Sequence, residues 1–232
     1  AVLGLATSLY DITFVPNNDI PVYHPEVNPF EVKDSAGNVI ALLMLDFHPR
    51  KGKSGGAWMT GYREQYRDNG KRVIPVVSLV MNFTRSTPNR PALLSHSELT
   101  TFLHEFGHAL HGMLSDCTYE SLSGTNVKRD FVELPSQIME NWAWEKEWLD
   151  LWAAHYQTGE KIPEETLHKL RESITYNEGY ASMRQLSFGL LDMAWHTITQ
   201  PFDDNITGFE RRVMGPAEVL PPAEGTSMSC SF

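Results

Sequence analysis

The residues of this chain best spaced to do chemistry together lie in the stretch His104-Glu-Phe-Gly-His108. On a helix, positions four apart share a face. His104 and His108 can therefore present two imidazole nitrogens to one metal ion. Glu105 sits beside the first of them, where its carboxylate can reach a metal-coordinated water, the HExxH arrangement of zinc hydrolases. A catalytic zinc takes three protein ligands and leaves one position for water, so a third ligand has to come from another element that returns to this helix. Glu133 and Glu140 are the candidates, and at seven residues apart they share a face of a following helix. Glu133 also fits a plainer role, because Asp130-x-x-Glu133 has the form of a capping box. Spacing alone leaves ligand and cap both open. Asp130 and Glu140 are candidates to orient a ligating imidazole through its other nitrogen. His111, one turn beyond His108, reads as a neighbour, since a third ligand from the same helix would splay away from the metal.

These residues need elements to hold them. Leu99, Phe102, Leu103, Phe106, Ala109, Leu110 and Met113 form an apolar stripe that predicts a helix over 97–115, with Ser97 as its cap and Glu98 in its first turn. His104, Glu105 and His108 fall off that stripe. A second long helix is expected from about 130 to 157, with Trp144, Trp148 and Trp152 on one face as core. Two more helical segments follow at roughly 164–176 and 179–199, and no element is assigned after Pro201. Upstream, Asp34-Ser-Ala-Gly-Asn38 separates Phe30-Glu-Val-Lys33 from Val39-Ile-Ala-Leu-Leu-Met-Leu45 and predicts a β-hairpin. The polar stretch 48–71 reads as a surface turn, and its Lys53-Ser-Gly-Gly-Ala57 lacks the spacing of a phosphate loop. Residues 72–82 are β-branched and predict a strand, and Pro75 either confines it to a sheet edge or marks its start. An edge strand just before a metal helix can bind an extended peptide by strand addition, although a plain structural strand fits that segment equally well. The expected division is a strand- and loop-rich part over 1–92, a helical zinc-binding part over 93–200 and an irregular tail over 201–232.

Composition narrows the partners. The chain has 232 residues, 41% hydrophobic and 21% charged, with a net charge of −10. That balance argues against a nucleic-acid partner, which needs a basic face. No apolar run approaches the roughly 18 residues of a membrane helix, so no membrane partner is expected. The start, AVLGLATSLY, lacks a basic leader and reads as the middle of a domain. Both ends read as cuts in a longer parent chain, the remainder of which is an expected partner. Cys117 and Cys230 are the only cysteines and neither belongs to a CxxC pair, which fits free thiols in a reducing, cytoplasmic compartment. The sequons at Asn82 and Asn205 read as chance.

A family resemblance adds to this reading. His104-Glu-Phe-Gly-His-Ala-Leu-His-Gly112, followed by Ser123-Gly-Thr-Asn-Val-Lys-Arg-Asp-Phe-Val-Glu-Leu-Pro-Ser-Gln-Ile-Met-Glu-Asn-Trp142, resembles the thimet oligopeptidase family, most of all its bacterial peptidyl-dipeptidase branch. Lys53-Ser-Gly-Gly-Ala-Trp58 and His155-Tyr-Gln-Thr-Gly159 resemble segments of the same branch, so the likeness covers most of residues 40–200. It implies a mainly α fold with a small β-sheet (α+β), a gluzincin-type zinc metallopeptidase core, one zinc ion and short peptide substrates. It implies that His104, His108 and Glu133 hold the zinc and that Glu105 is the catalytic base. The base takes a proton from zinc-activated water and passes it to the leaving amine. Family members are longer, and past the point matching Phe232 they carry a Gly-rich segment with a His and several Tyr that binds substrate. Two readings of the chain follow: a metallopeptidase acting as an oligopeptidase or peptidyl-dipeptidase, or a zinc-binding fragment without catalytic competence of its own. By the missing segment, the chain as given is expected to bind zinc but to hydrolyse peptides poorly.

Overall fold

After one short helix, β-branched and aromatic runs gather into a sheet, and longer periodic segments later in the chain form helices. The computed structural model describes residues 1–231 and divides into two compact units, 1–164 and 165–232. In the first unit, α1 (Val2–Tyr10) leads into β1 (Thr13–Pro16), β2 (Asn28–Lys33) and β3 (Val39–Asp46). After a loop come β4 (Trp58–Arg63) and a small hairpin of β5 (Tyr66–Asp68) and β6 (Lys71–Val73), then β7 (Val76–Val80). The main sheet has the order β1-β2-β3-β7-β4, antiparallel except where β3 and β7 run parallel. The expected hairpin about residues 34–38 is present as β2–β3. The β5–β6 turn is Asn69-Gly70, both at positive φ, the conformation a tight two-residue hairpin demands.

The sheet corrects two expectations. The strand expected over 72–82 is split between β6 and β7, and β7 lies inside the sheet between β3 and β4, not at an edge. Val77, Ser78, Leu79 and Val80 are all buried, as a strand covered on both faces requires. Pro75 precedes β7, where its missing N–H costs nothing, and its carbonyl accepts the Leu42 N–H at 3.0 Å. β1 forms one edge of the sheet, and the opposite edge, next to β7, is instead β4, within the stretch read as a surface turn. Its glycines and polar residues hid a strand that has a partner on one side only.

One face of the sheet carries α2 (His96–Met113). Phe106 of α2 stacks on Phe14, with ring centres 6.0 Å apart, and Phe102 meets Phe47 at 5.2 Å and Phe83 at 5.9 Å. The cap of α2 is Ser95, not Ser97. Its hydroxyl accepts the Glu98 N–H at 3.2 Å while the Glu98 carboxylate accepts the Ser95 N–H at 2.7 Å, a reciprocal capping box.

The second long helix is not one helix. Residues 129–149 form α3 (Arg129–Val132), α4 (Leu134–Glu140), a 3-10 turn over Asn141–Trp144 and α5 (Lys146–Leu149). Pro135 permits a fresh first turn but no continuation from α3. The tryptophans therefore do not share a helical stripe: Trp148 is buried, whereas Trp152 is exposed.

In the second unit, α6 (Glu164–Ser173) is followed by α7 (Glu178–His196) and α8 (Ile206–Met214). The tail expected to be irregular thus carries a helix, capped by the Asn205 side chain on the Gly208 N–H at 2.8 Å. Trp195, Phe202 and Phe209 cluster with ring centres 4.5–5.2 Å apart. The two-unit division also differs from the three parts drawn from the sequence. Among the described residues, no helix is long and apolar enough to cross a membrane.

Candidate metal centre

α2 places His104, Glu105 and His108 on successive turns away from its aromatic stripe. α4 crosses α2 closely, and Gly107 is the reason. A β-carbon there would lie 2.5 Å from the Pro135 carbonyl oxygen and 2.6 Å from the Ser136 Cα. Only glycine lets the two backbones approach so far. The result is that Glu133, at the junction of α3 and α4, reaches the two histidines of α2.

His104 Nε2 and His108 Nε2 lie 3.2 Å and 3.1 Å from the same carboxylate oxygen of Glu133. One donor atom from each residue falls within 4.8 Å of the others, so the three form a group that can hold a metal ion. Four tetrahedral ligands at about 2.0–2.1 Å from an ion stand about 3.3 Å apart, and the Glu133 distances match that spacing. Glu140 accepts a bond from His104 Nδ1 at 2.6 Å. That contact assigns the proton to Nδ1 and leaves the Nε2 lone pair facing Glu133. Burial pushes the His108 pKa down against the opposing pull of Glu133, which favours a neutral, ligating imidazole. His108 Nδ1 is buried without a partner. Glu133 is held ionised first by the Ser136 hydroxyl, which donates to it at 2.8 Å, and further by the two histidines. Two imidazoles and an ionised carboxylate are a donor set that suits a divalent cation.

Glu105 faces the edge of the sheet. Burial raises its pKa, with Glu133 adding to the rise, while His104 and the backbone N–H of Met59 on β4 pull it down. The base candidate therefore lies between the donor group and the outer strand. β4 ends the sheet, and among the described residues no strand pairs with its outer side.

Other residues singled out in the sequence fall elsewhere. Asp130 lies exposed in α3, and no hydrogen bond or ion pair joins it to either histidine. The capping box proposed for Asp130 and Glu133 is not formed, because Lys128 is the N-cap of α3 and no side chain caps it. His111 packs its ring against Phe131 at 6.3 Å and stands outside the donor group. Cys117 and Cys230 are free thiols. Sequence reasoning missed Ser136, Gly107 and Met59. Ser136 sits three residues past Glu133, a legible spacing for a side chain that bonds back across a helix start. Nothing local marks Met59.

Comparison with known proteins shows the family of the chain. Residues 1–232 match Peptidase family M3, and the chain belongs to that family. Dipeptidyl carboxypeptidase of Salmonella typhimurium is 41% identical over 223 residues, covering 96% of this chain and 32% of that protein. Oligopeptidase A of Escherichia coli is 42% identical over 195 residues, 83% of this chain and 29% of that protein. A probable cytosolic oligopeptidase A of Arabidopsis thaliana is 38% identical over 240 residues, covering 100% of this chain and 34% of the relative. The chain thus spans about a third of the length of the curated relatives it matches.

Proposed function

We propose that the protein is a zinc metallopeptidase with a gluzincin-type core that hydrolyses short peptides, as an oligopeptidase or a peptidyl-dipeptidase. The observation that carries this reading is the position of Glu105, buried between the His104–His108–Glu133 group and the free edge of β4. A bound zinc ion would supply Lewis acidity, polarising the scissile carbonyl and acidifying a coordinated water toward a pKa of about 7. His104, His108 and Glu133 would hold that ion, and Glu140 would keep the His104 ring in register. Glu105 would accept the water proton. Its raised pKa, set mainly by burial, suits a group that must later return the proton to the departing amine. β4 would seat the substrate backbone as an added antiparallel strand, a mode that reads main chain before side chain and so tolerates varied sequences. Extended short peptides fit an edge of six residues better than folded proteins do. Asp130, exposed in α3, has no role in this scheme.

Glu105→Gln is the direct test. Hydrolysis of a short quenched peptide should fall by about 10²–10⁴-fold, the usual share of a general base. Metal analysis should still find one zinc per chain. Unchanged hydrolysis would overturn the peptidase reading. Zinc at full stoichiometry with no hydrolysis by the unsubstituted protein would favour the other reading, a zinc-binding fragment whose ion only ties α2 to α4.

A further inference from the structure

We propose that Lys53 is a positioning residue for β4, the strand that faces the catalytic base; the proposal rests on the peptidase reading of the site. Lys53 lies in the loop between β3 and β4, and its side chain is 4% exposed. Its ammonium donates to Asp46 Oδ1 at 2.9 Å, to the Asp46 carbonyl at 3.1 Å, to the His48 carbonyl at 2.9 Å and to the Met81 carbonyl. Those oxygens come from the end of β3, the loop itself and the residue just past β7. Asp46 is itself buried and bound by Arg50 through both guanidinium nitrogens, at 2.6 and 2.8 Å, and by the Tyr23 hydroxyl at 2.9 Å. One residue beyond Met81, the Asn82 amide donates to the Ser54 and Gly56 carbonyls at 2.9 and 2.8 Å. The loop is therefore pinned along Lys53–Gly56 to the exit of β7, two residues before β4 starts at Trp58.

This arrangement does more than stabilise. Lys53 and Asp46 are charged and buried, with Arg50 at the rim, and the cost of taking such charges out of water offsets much of their attraction. What the node supplies is fixed geometry. β4 is tied to the sheet on one side only and is interrupted by a register shift between Gly61 and Arg63. Its first pair, Trp58 with Val80, is set by where the loop delivers the chain. The next residue, Met59, turns its N–H to Glu105. A shift of about 1 Å in β4 would move the seat of the substrate backbone relative to Glu105 on α2, and displacements of that size cost about 10²-fold in rate.

The test is Lys53→Met, which keeps length and removes the charge. It should lower kcat/KM for a short quenched peptide about 10- to 100-fold, with KM rising, while zinc content stays at one per chain. Amide hydrogen exchange at Trp58–Gly61 should quicken more than exchange across β3 and β7. Activity that falls only in step with folded protein, or exchange at β4 no faster than in β3 and β7, would overturn the proposal. Asn82→Ala, at the other end of the loop, should shift the same readouts in the same direction by a smaller factor. It decides the question if Lys53→Met does not fold, and no change in Asn82→Ala would then count against the proposal. Hydrogen exchange needs no substrate, so failure of the peptidase reading and failure of the Lys53 proposal are separable.

Discussion

α2 and α7 are nearly the same length, 18 and 19 residues, and have very different lives. In α2 ten residues are buried, among them Glu105 and His108. In α7 only Ser187 and Leu191 are buried, and Leu186, Leu190 and Met193 are exposed. Their glycines differ in the same sense. Gly107 of α2 meets the backbone of Pro135 and Ser136, whereas a β-carbon at Gly179 or Gly189 of α7 would meet nothing within 4 Å. A helix becomes part of a site when another backbone packs against it closely enough to bring in groups far away in sequence. Apolar content alone does not achieve that.

The sharpest way to break the comparison is Gly107→Ala. Its β-carbon overlaps Pro135 and Ser136, so α4 must move and take Glu133 with it. Overpacking costs about 1–3 kcal/mol and can cost more, and loss of the third donor should weaken metal binding at least about 10²-fold. Equilibrium metal titration together with thermal unfolding measures both. A variant with unchanged affinity would mean that the α2–α4 contact does not place Glu133.

The next effect concerns the sheet beneath α2. Burial pushes the Asp46 pKa up, but the bonds from Arg50, Lys53 and Tyr23 outweigh it, and the carboxyl lies at about 2 against an ordinary 3.8. A depressed folded-state pKa stabilises above the ordinary value, and that contribution is lost as pH falls through the folded one. Denaturant unfolding should therefore show about 2 kcal/mol of stability draining away between pH 4 and 2 in the wild type. Asp46→Asn should flatten that part of the profile. A variant with the same acid slope would remove Asp46 from the account.

The smallest effect belongs to α7. Gly189→Ala has open space, so helix propensity alone should act and stabilise by about 0.8–1.0 kcal/mol. Thermal unfolding that shows destabilisation instead would reveal packing on α7 that the described structure lacks.

The α2 stripe and the off-stripe His104, Glu105 and His108 are legible in the sequence from helical period, because all are local to one element. The β2–β3 hairpin is legible from its turn residues. The seam at Glu133 is not, because the tryptophan spacing in 144–152 imitates one long helix while Pro135 and the 3-10 turn divide it. β4 is hidden for a related reason: an edge strand has only half its surroundings apolar, so Gly61, Tyr62 and Arg63 read as a turn.

The sequence by itself determined the chemistry on offer: two imidazoles and a carboxylate on adjacent helical turns, a set of acidic candidates downstream, and membership of a family. Spacing left the choice between Glu133 and Glu140 open and the family resemblance favoured Glu133, but only the tertiary structure brings that acid to the histidines and shows which strand meets Glu105. Glu133 and Glu140 are the same residue type and lie about two turns apart, at the two ends of α4. The close crossing at Gly107 sends one to the Nε2 atoms and the other to His104 Nδ1. That outcome depends on distances between backbones separated by some thirty residues, and no local pattern of side chains encodes such a distance.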